Sequence, residues 1–540
     1  MNLKNLVWVS GLLTLTKAQT QYGENHVTVI RDSESVAENF PSIDDIELLS
    51  PAFQSPATVR PGFENGTDGP TTQFELDYFV QSLASRNSDW MTYRSADFSS
   101  EEGRSFPYVF LSTSSSNGTS ASSTGKLRTW LQGGVHGNEP GGDQSLLALL
   151  GEMDANQTWT ASMLENMDIM ILFRYNPDGV EYFQRTLAVN LDPNRDHIKL
   201  MRQQTRDIKE LFNSFNPHIA ADMHEFGANY LYGPNENLVQ GSDALFSAAK
   251  NLNIRPDIRD LSESLFATRI GDDLDAAGFR WEPYATSGSS ENDTAILFDE
   301  AGSDARIGRN AMGLTQTVTF LFETHGIGLA DQEFQRRTAC GLTMATSLLQ
   351  TAADNAERVY DTISSSIEDF VSSSDDIVVT DYTETSERTW TMIDVDNGTL
   401  IQQPIQFAST TPTTANLTRS RPEAYLIPRA RSDIASRLEN FGLEVERLEY
   451  GYRGPVQALN ITSSTLESEY YEGIVLAEVT AREVEREVDL PPGSFWVSTR
   501  QKNAGLAFVS LEPEGIDSFV TYGIIALEAG DEYPIYRMVG

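Results

Sequence analysis

The sequence contains very little cysteine, histidine and positive charge. Cys340 is its single cysteine, so no disulfide can form within the chain, and stability must come from the core that 540 residues can bury. Lys and Arg number 39 against 78 Asp and Glu, which gives a formal net charge of -39. Nucleic acids and anionic membrane surfaces bind basic faces of proteins. We therefore expect neither as a partner.

Long apolar runs are also missing, apart from a short one near the beginning. After Lys4 comes an apolar run of about ten residues, and the small residue Ala18 follows it. This pattern is typical of a signal peptide over residues 1–18, and the run is too short to span a bilayer. We therefore expect a secreted, extracellular protein. Its seven Asn-x-Ser/Thr sequons agree with passage through a glycosylating compartment, and they lie at Asn65, Asn117, Asn156, Asn292, Asn397, Asn416 and Asn460.

Histidine and carboxylate side chains follow two strand-like apolar runs. His136 and Glu139 come shortly after residues 128–132, and His224 comes shortly after residues 219–221. Active sites of α/β sheets lie at the carboxyl ends of strands, so we expect these three side chains to meet. Two imidazoles and one carboxylate leave the fourth tetrahedral position of a zinc ion open, as a catalytic site requires. The pattern predicts one zinc ion per chain.

Three further blocks make this interpretation much more specific. The segment 176–179 reads Asn-Pro-Asp-Gly, residues 185–195 contain two arginines with an Asp and an Asn, and Glu323 ends an apolar strand-like run. Taken in order with the histidine motifs, these blocks resemble the zinc metallocarboxypeptidase family, the carboxypeptidase A-like group. The resemblance covers roughly residues 72 to 330.

The resemblance implies a role for each matching residue. His136, Glu139 and His224 would be the zinc ligands, and Asp192 would hold the ring N–H of a ligand histidine. Asn194 and Arg195 would bind the terminal carboxylate of the substrate, Arg185 would stabilise the oxyanion, and Glu323 would be the general base. On residue chemistry alone, Asp192 could instead cap a turn, and Glu323 could be a buried ion-pair partner. His325 could reach the site or lie in the loop beyond the strand.

One interval departs from the family pattern. Family members carry a mobile tyrosine roughly two dozen residues before the catalytic Glu, but residues 301–310 contain none. The same interval helps to form the specificity pocket, so the resemblance does not imply a side-chain preference. Arg306 and Arg309 indicate either an acidic, carboxylate-bearing substrate or an ordinary solvated basic loop.

The fold class that we expect is α/β, with a mixed central sheet flanked by helices and a smaller β-rich C-terminal domain. A capping-box pattern begins at Thr72, and helical patterns are found at roughly 143–153, 199–214, 241–253 and 261–276. By composition we expect an N-terminal extension at 19–70, a catalytic domain at 71–371, a linker at 372–385 and the β-rich domain at 386–540. The sequence leaves the oligomeric state open.

The function predicted from these patterns is a secreted zinc metallocarboxypeptidase. It would hydrolyse the C-terminal bond of a peptide or protein that has a free C-terminus, through a zinc-activated water with Glu323 as base. Two alternatives remain open at this point. One is a zinc-dependent amidase or deacylase that acts on a small or cell-wall amide, and the other is a catalytically silent binding relative.

Overall fold

The computed structural model describes residues 28–56, 58–60, 62–113, 125–288 and 295–539. The predicted signal peptide and the sequons at Asn117 and Asn292 lie outside these residues. The strands are β1 Met91–Ser99, β2 Ser105–Leu111, β3 Leu127–Gln132, β4 Met167–Leu172, β5 Ile219–Gly227, β6 Leu238–Gln240, β7 Ala244–Ala248, β8 Trp281–Pro283, β9 Ala285–Ser287, β10 Leu297–Glu300, β11 Val318–Ile327, β12 Ile377–Asp394, β13 Leu400–Arg419, β14 Ala424–Ile427, β15 Glu446–Arg447, β16 Tyr452–Tyr471, β17 Ile474–Leu490, β18 Phe495–Ser498 and β19 Tyr536–Met538.

The α-helices are α1 Glu34–Ala37, α2 Pro51–Gln54, α3 Gln73–Arg86, α4 Pro140–Ala155, α5 Gln157–Asn166, α6 Pro177–Tyr182, α7 Gln203–Phe215, α8 Pro256–Leu261, α9 Thr268–Ala276, α10 Gly308–Gly313, α11 Phe334–Asp354, α12 Ala356–Ser372, α13 Ser432–Asn440 and α14 Ala504–Leu511. The start of α3 confirms the predicted capping box, since the Thr72 hydroxyl accepts the Glu75 N–H and the Glu75 carboxylate accepts the Thr72 N–H. In the part of the chain that the structure describes, no helix has both the length and the apolar composition needed to cross a bilayer.

The central sheet has eight strands in the order β1-β2-β4-β3-β5-β11-β7-β8. β3 is parallel to β4 and β5, and β5 is parallel to β11, whereas β7 is antiparallel to β11. The middle strands are buried on both faces, which explains their continuous apolar runs. This mixed sheet with flanking helices confirms the predicted fold class. It also brings the ends of β3, β5 and β11 to one edge.

The C-terminal region supplies two further sheets. One has six strands in the order β15-β18-β14-β19-β16-β17, and it is the predicted β-rich addition. The other has five strands in the order β6-β12-β13-β10-β9, so the long β12–β13 hairpin pairs with strands from the first 300 residues. The predicted linker at 372–385 is therefore wrong from Ile377 onward, because β12 begins there. Its backbone forms a ladder with β13 instead of crossing between domains.

One predicted helix is also wrong. Residues 241–253 contain strand β7, which lies between β11 and β8 in the central sheet. All five residues of β7 are buried, so the strand shows no alternation of apolar and polar residues that would have distinguished it from a buried helix.

The most extensive of the hydrophobic core clusters among the described residues connects the regions. It joins side chains of the central sheet, such as Leu131 and Phe320, to C-terminal side chains such as Tyr425 and Phe508. The N-terminal extension also packs on this body, because Leu48 belongs to the same core. How the chain divides into independently folding domains stays a prediction.

Candidate active site

The first two ligand candidates lie in the tight connection between β3 and α4. Gly134 has a φ of +59°, a backbone conformation that glycine adopts without strain. A Cβ atom on Gly137 would lie 1.8 Å from the carbonyl carbon of Gly179, so only glycine fits there. The chain then enters α4 with Pro140 in its first turn, immediately after Glu139. This geometry carries His136 and Glu139 to the edge of the sheet.

The neighbouring strands bring the other chemical groups to the same edge. His224 lies on β5, and Glu323 lies on the adjacent parallel strand β11 directly opposite it in register. On the far side of β11, Leu245 of β7 is the partner of Glu323. Across three strands the sheet thus presents a histidine, a carboxylate and a leucine in one row.

His136, Glu139 and His224 converge on one point. The two Nδ1 atoms lie 3.1 Å apart, and the Glu139 carboxylate oxygens lie 2.8 Å from Nδ1 of His136 and 2.9 Å from Nδ1 of His224. All three side chains are nearly fully buried. Within the described residues they form a group able to hold a metal ion.

The other ring nitrogens show that this donor set fits zinc. Nε2 of His136 lies 3.0 Å from the Asp192 carboxylate, and Nε2 of His224 lies 3.1 Å from that of Asp222. A carboxylate beside Nε2 favours the tautomer that carries its proton there, which makes the Nδ1 lone pair available to a metal ion. Three such donors facing one another are stabilised by a cation between them, and two His with one carboxylate is a preferred zinc set.

Burial and neighbouring charges shift the pKa values of Glu139 and Glu323 in opposite directions. Burial alone would raise the pKa of the Glu139 carboxyl, but the rings of His136 and His224 lower it below its ordinary value. Burial, together with the negative charge of Glu139, raises the pKa of Glu323 to about 8 against the opposing effect of His224. A cation at the triad would lower it again, since an opposite charge favours the carboxylate. A carboxyl group that titrates near neutral pH is suited to accept and return a proton.

The segment 185–195 contributes four residues to the site, namely Arg185, Asp192, Asn194 and Arg195. The Arg185 guanidinium contacts Glu139 Oε1 at 3.1 Å and Asp192 Oδ2 at 2.9 Å. The Asp192 carboxylate caps the following turn by accepting the Asn194 N–H at 2.8 Å, and it also lies 3.0 Å from Nε2 of His136. The Asn194 side-chain oxygen accepts the Gly308 N–H at 2.7 Å.

The structure places His325 elsewhere. Its Nδ1 lies 3.3 Å from Glu333 and its Nε2 lies 3.9 Å from Asp32, and its ring stacks on Phe40. His325 therefore contacts these residues and is not part of the triad. It belongs to a separate buried cluster.

Several side chains of the site were not singled out from the sequence. Asp222 had a local signal, because it lies two residues before His224 on the same strand. Tyr284, which precedes the interval 301–310, lines a cleft of about 740 Å³ together with the site residues. Tyr471 also lines it, from the C-terminal region, and neighbouring Glu472 contacts the Asp192 backbone.

A mixed α/β sheet that presents a His-Glu-His triad at its strand ends defines a metallohydrolase. Residues 76–237 match the family model described as zinc carboxypeptidase. Carboxypeptidase 2 of Trichophyton equinum is 58% identical over 528 residues, which is 98% of each chain, and Carboxypeptidase 2 of Trichophyton rubrum is 58% identical over 518 residues, which is 96% of each chain. The protein belongs to the zinc carboxypeptidase family. It is a metallocarboxypeptidase, and zinc is its cofactor, as predicted.

The likeness to solved structures is more distant. A metallo-carboxypeptidase from Pseudomonas aeruginosa in complex with (2-guanidinoethylmercapto)succinic acid has 16% identity and a TM-score of 0.39. The match covers 54% of this chain and 70% of that one.

Proposed function

We propose that the protein is a secreted single-zinc carboxypeptidase that releases one residue at a time from the free C-terminus of peptides, with Glu323 as general base. The observation that carries this proposal is the register of β5 and β11, which sets Glu323 directly beside the ligand His224. Glu323 lines one cleft with the ligand candidates His136 and Glu139, and Arg185, Asn194 and Arg195 line it too. These residues support the proposed substrate class and the proposed bond cleaved.

Zinc held by His136, Glu139 and His224 would polarise the scissile carbonyl and make a water more acidic. Glu323 would take the proton from the attacking water on a carboxylate oxygen and return it to the leaving amine. The Arg185 guanidinium, which already lies against Glu139, would donate hydrogen bonds to the oxygen on which negative charge develops. Arg195 and the Asn194 amide would hold the terminal carboxylate and so align the last peptide bond.

The test is a set of N-blocked peptides, each with a free and an amidated C-terminus, assayed with zinc content measured on the same preparation. We expect the enzyme to cleave only the peptides with a free C-terminus, and we expect a chelator to abolish this cleavage. Glu323→Gln should lower kcat by several orders of magnitude and leave zinc content and KM nearly unchanged, because a general base acts in the transition state.

Arg195→Ala separates the carboxypeptidase from an amidase. Its main effect should be a raised KM for free peptides, at a cost of about 2–4 kcal/mol, because it removes one side of a desolvated charge pair. Equal hydrolysis of free and amidated peptides would favour the amidase instead. Absence of any hydrolysis by zinc-loaded protein would favour a silent relative.

Secretion and glycosylation are part of the same proposal. The apolar run before Ala18 supports a cleaved signal peptide, and the sequon residues Asn65, Asn397 and Asn416 are exposed, where an oligosaccharide can be attached. Expression in the native host should yield protein in the culture medium whose mass falls on treatment with a glycosidase. Retention of the protein inside cells with an unmodified N-terminus would refute this part.

A further inference from the structure

The side chain of Arg309 is buried in the lining of the cleft that also contains Glu323, and most of its hydrogen-bond donors are unused. It lies in the first turn of α10 and is 1% exposed. One Nη2 N–H donates to the carbonyl of Gly302 at 2.6 Å, whereas Nε and Nη1 have no partner among the described residues. Buried guanidinium donors need hydrogen-bond partners, and an anion that enters the cleft can supply them for Arg309.

The two arginines of this segment differ in their environment. Arg306 forms an ion pair with Asp517 at 2.7 Å, and the Tyr471 ring covers it at 5.3 Å. Arg309 forms no ion pair with any carboxylate of the described ranges. Glu300 is a nearby acid, but its carboxylate oxygens bind Lys250 and the Thr410 N–H and form no hydrogen bond with Arg309. Arg309 is therefore the one of the two that can accept an external anion.

The position of Arg309 relates it to one part of the substrate. It lines the cleft together with Leu245 and Leu321. Leu245 is the register partner of Glu323, and Leu321 lies two residues before Glu323 on the same face of β11. The wall beside the proposed base thus contains two leucines, and Arg309 adds a buried cation to the same cleft. Such a wall accommodates methylene groups followed by a negative charge.

We propose that Arg309 selects substrates whose C-terminal residue is acidic, by binding the Glu or Asp side-chain carboxylate with its guanidinium fork. This inference rests on the proposed function, in which Asn194 and Arg195 hold the α-carboxylate. A planar guanidinium forms two parallel hydrogen bonds with a carboxylate, and burial strengthens both. An amide offers only one acceptor oxygen, and an ammonium group is repelled by the buried cation. The enzyme therefore discriminates Glu from Gln and rejects Lys.

The first experiment compares wild-type kcat/KM on N-blocked dipeptides that end in Glu, Gln, Leu and Lys. A site built around a hydrogen-bonded charge should prefer Glu over Gln by about 100-fold or more. Arg309→Met should bring the Glu:Gln ratio close to one and leave the Leu substrate within a few-fold of wild type. Arg259→Met is the matched control, because it removes a half-buried arginine outside the cleft. It should leave the ratio unchanged.

Three readouts decide the outcome. Similar wild-type rates on Glu and Gln peptides would overturn the acidic preference and leave the carboxypeptidase intact. An equal loss on all free peptides in Arg309→Met would overturn it too, since Arg309 would then hold the α-carboxylate. Calorimetry of N-acetylglutamate against N-acetylglutamine gives a readout without turnover, in which the wild type should bind the first at least tenfold tighter and Arg309→Met should not. If this difference appears and no peptide is cleaved, the proposed function fails and the acidic subsite stands.

A loss of Glu selectivity in the Arg309 variants could also result from unfolding, so their stability must be measured. Because the Nε and Nη1 donors are unpaired, Arg309→Met should keep or raise the wild-type Tm. Arg309→Gln provides a second variant of polar character with the same expected loss of selectivity. A selective wild type whose folded Arg309→Gln and Arg309→Met forms both keep the full Glu preference would overturn the assignment to Arg309.

Discussion

The backbone N–H of Asp192 donates a hydrogen bond to Glu472 Oε2 at 2.7 Å, across 280 positions of the chain. Glu472 and Gly473 form the two-residue turn between β16 and β17, and both have positive φ angles, as in a type I′ hairpin. Asp192 in turn holds the ring of His136. The tip of a C-terminal hairpin therefore supports a proposed zinc ligand through one intermediate residue.

Glu472→Ala should lower zinc affinity and kcat/KM about tenfold, since it leaves the Asp192 N–H without its acceptor and loosens the carboxylate that orients His136. Zinc titration against a competing chelator and peptide kinetics would measure both. Glu469→Ala, an exposed residue of the same hairpin, is the control and should behave as wild type. If the two variants were indistinguishable, the hairpin would have no part in the site.

Asp222→Asn should weaken zinc binding about 10- to 100-fold, because it removes the charge that fixes the tautomer of His224. The measurement is the zinc dissociation constant from chelator competition. Asp168→Asn is a matched change, since Asp168 is equally buried and bonded to the Ser112 hydroxyl at the opposite end of the sheet. Tight zinc binding by the Asp222 variant would show that the Asp222 carboxylate is not needed to orient His224.

A chain that ends at Val371 should not yield a soluble, folded protein. It would lack β12 and β13, which pair with β6 and β10, and it would expose Phe298 where the Trp390 ring now packs at 4.8 Å. Expression yield, gel filtration and circular dichroism would test this. A compact truncate that binds zinc would mean that the catalytic region folds alone.

Lys209→Met should raise stability at neutral and acidic pH. The Lys209 ammonium group is buried, has no hydrogen-bond partner among the described residues and faces the Phe441 ring at 5.6 Å. Burial lowers the pKa of Lys209 to about 7, below its ordinary value. Between these two pKa values the unfolded chain binds more protons, so stability rises with pH, and the penalty is complete below about pH 7.

The gain from Lys209→Met should therefore be about 5 kcal/mol at pH 6 and should vanish near pH 10.5. Denaturant unfolding at both pH values measures it. Arg358→Met, which removes an exposed cation, should change stability little at either pH. A gain that does not depend on pH would indicate that packing of the methionine, and not removal of the charge, is responsible.

Local patterns predicted the parts of the site that depend on short sequence spans. His136 and Glu139 share one turn, and the β5 and β11 runs that carry His224 and Glu323 are buried throughout, so apolar runs located them. The prediction of a helix at 241–253 is wrong because β7 is buried on both faces and shows no alternation of apolar and polar residues. The contributions of Tyr471 and Glu472 could not be predicted, since no local pattern encodes which distant turn packs on which loop. The same limit applies to the β12–β13 hairpin, whose partners lie far earlier in the chain.

The contact between Asp192 and Glu472 has a consequence for the time at which the enzyme becomes competent. A ribosome releases the N-terminal part first, so all three proposed metal ligands and Glu323 emerge well before the hairpin that supports them. Contacts between distant positions also form slowly. A product of premature termination would carry every proposed ligand and still lack the support for His136. We therefore expect full peptidase activity only after the C-terminal hairpin has been synthesised and has packed on the Asp192 loop.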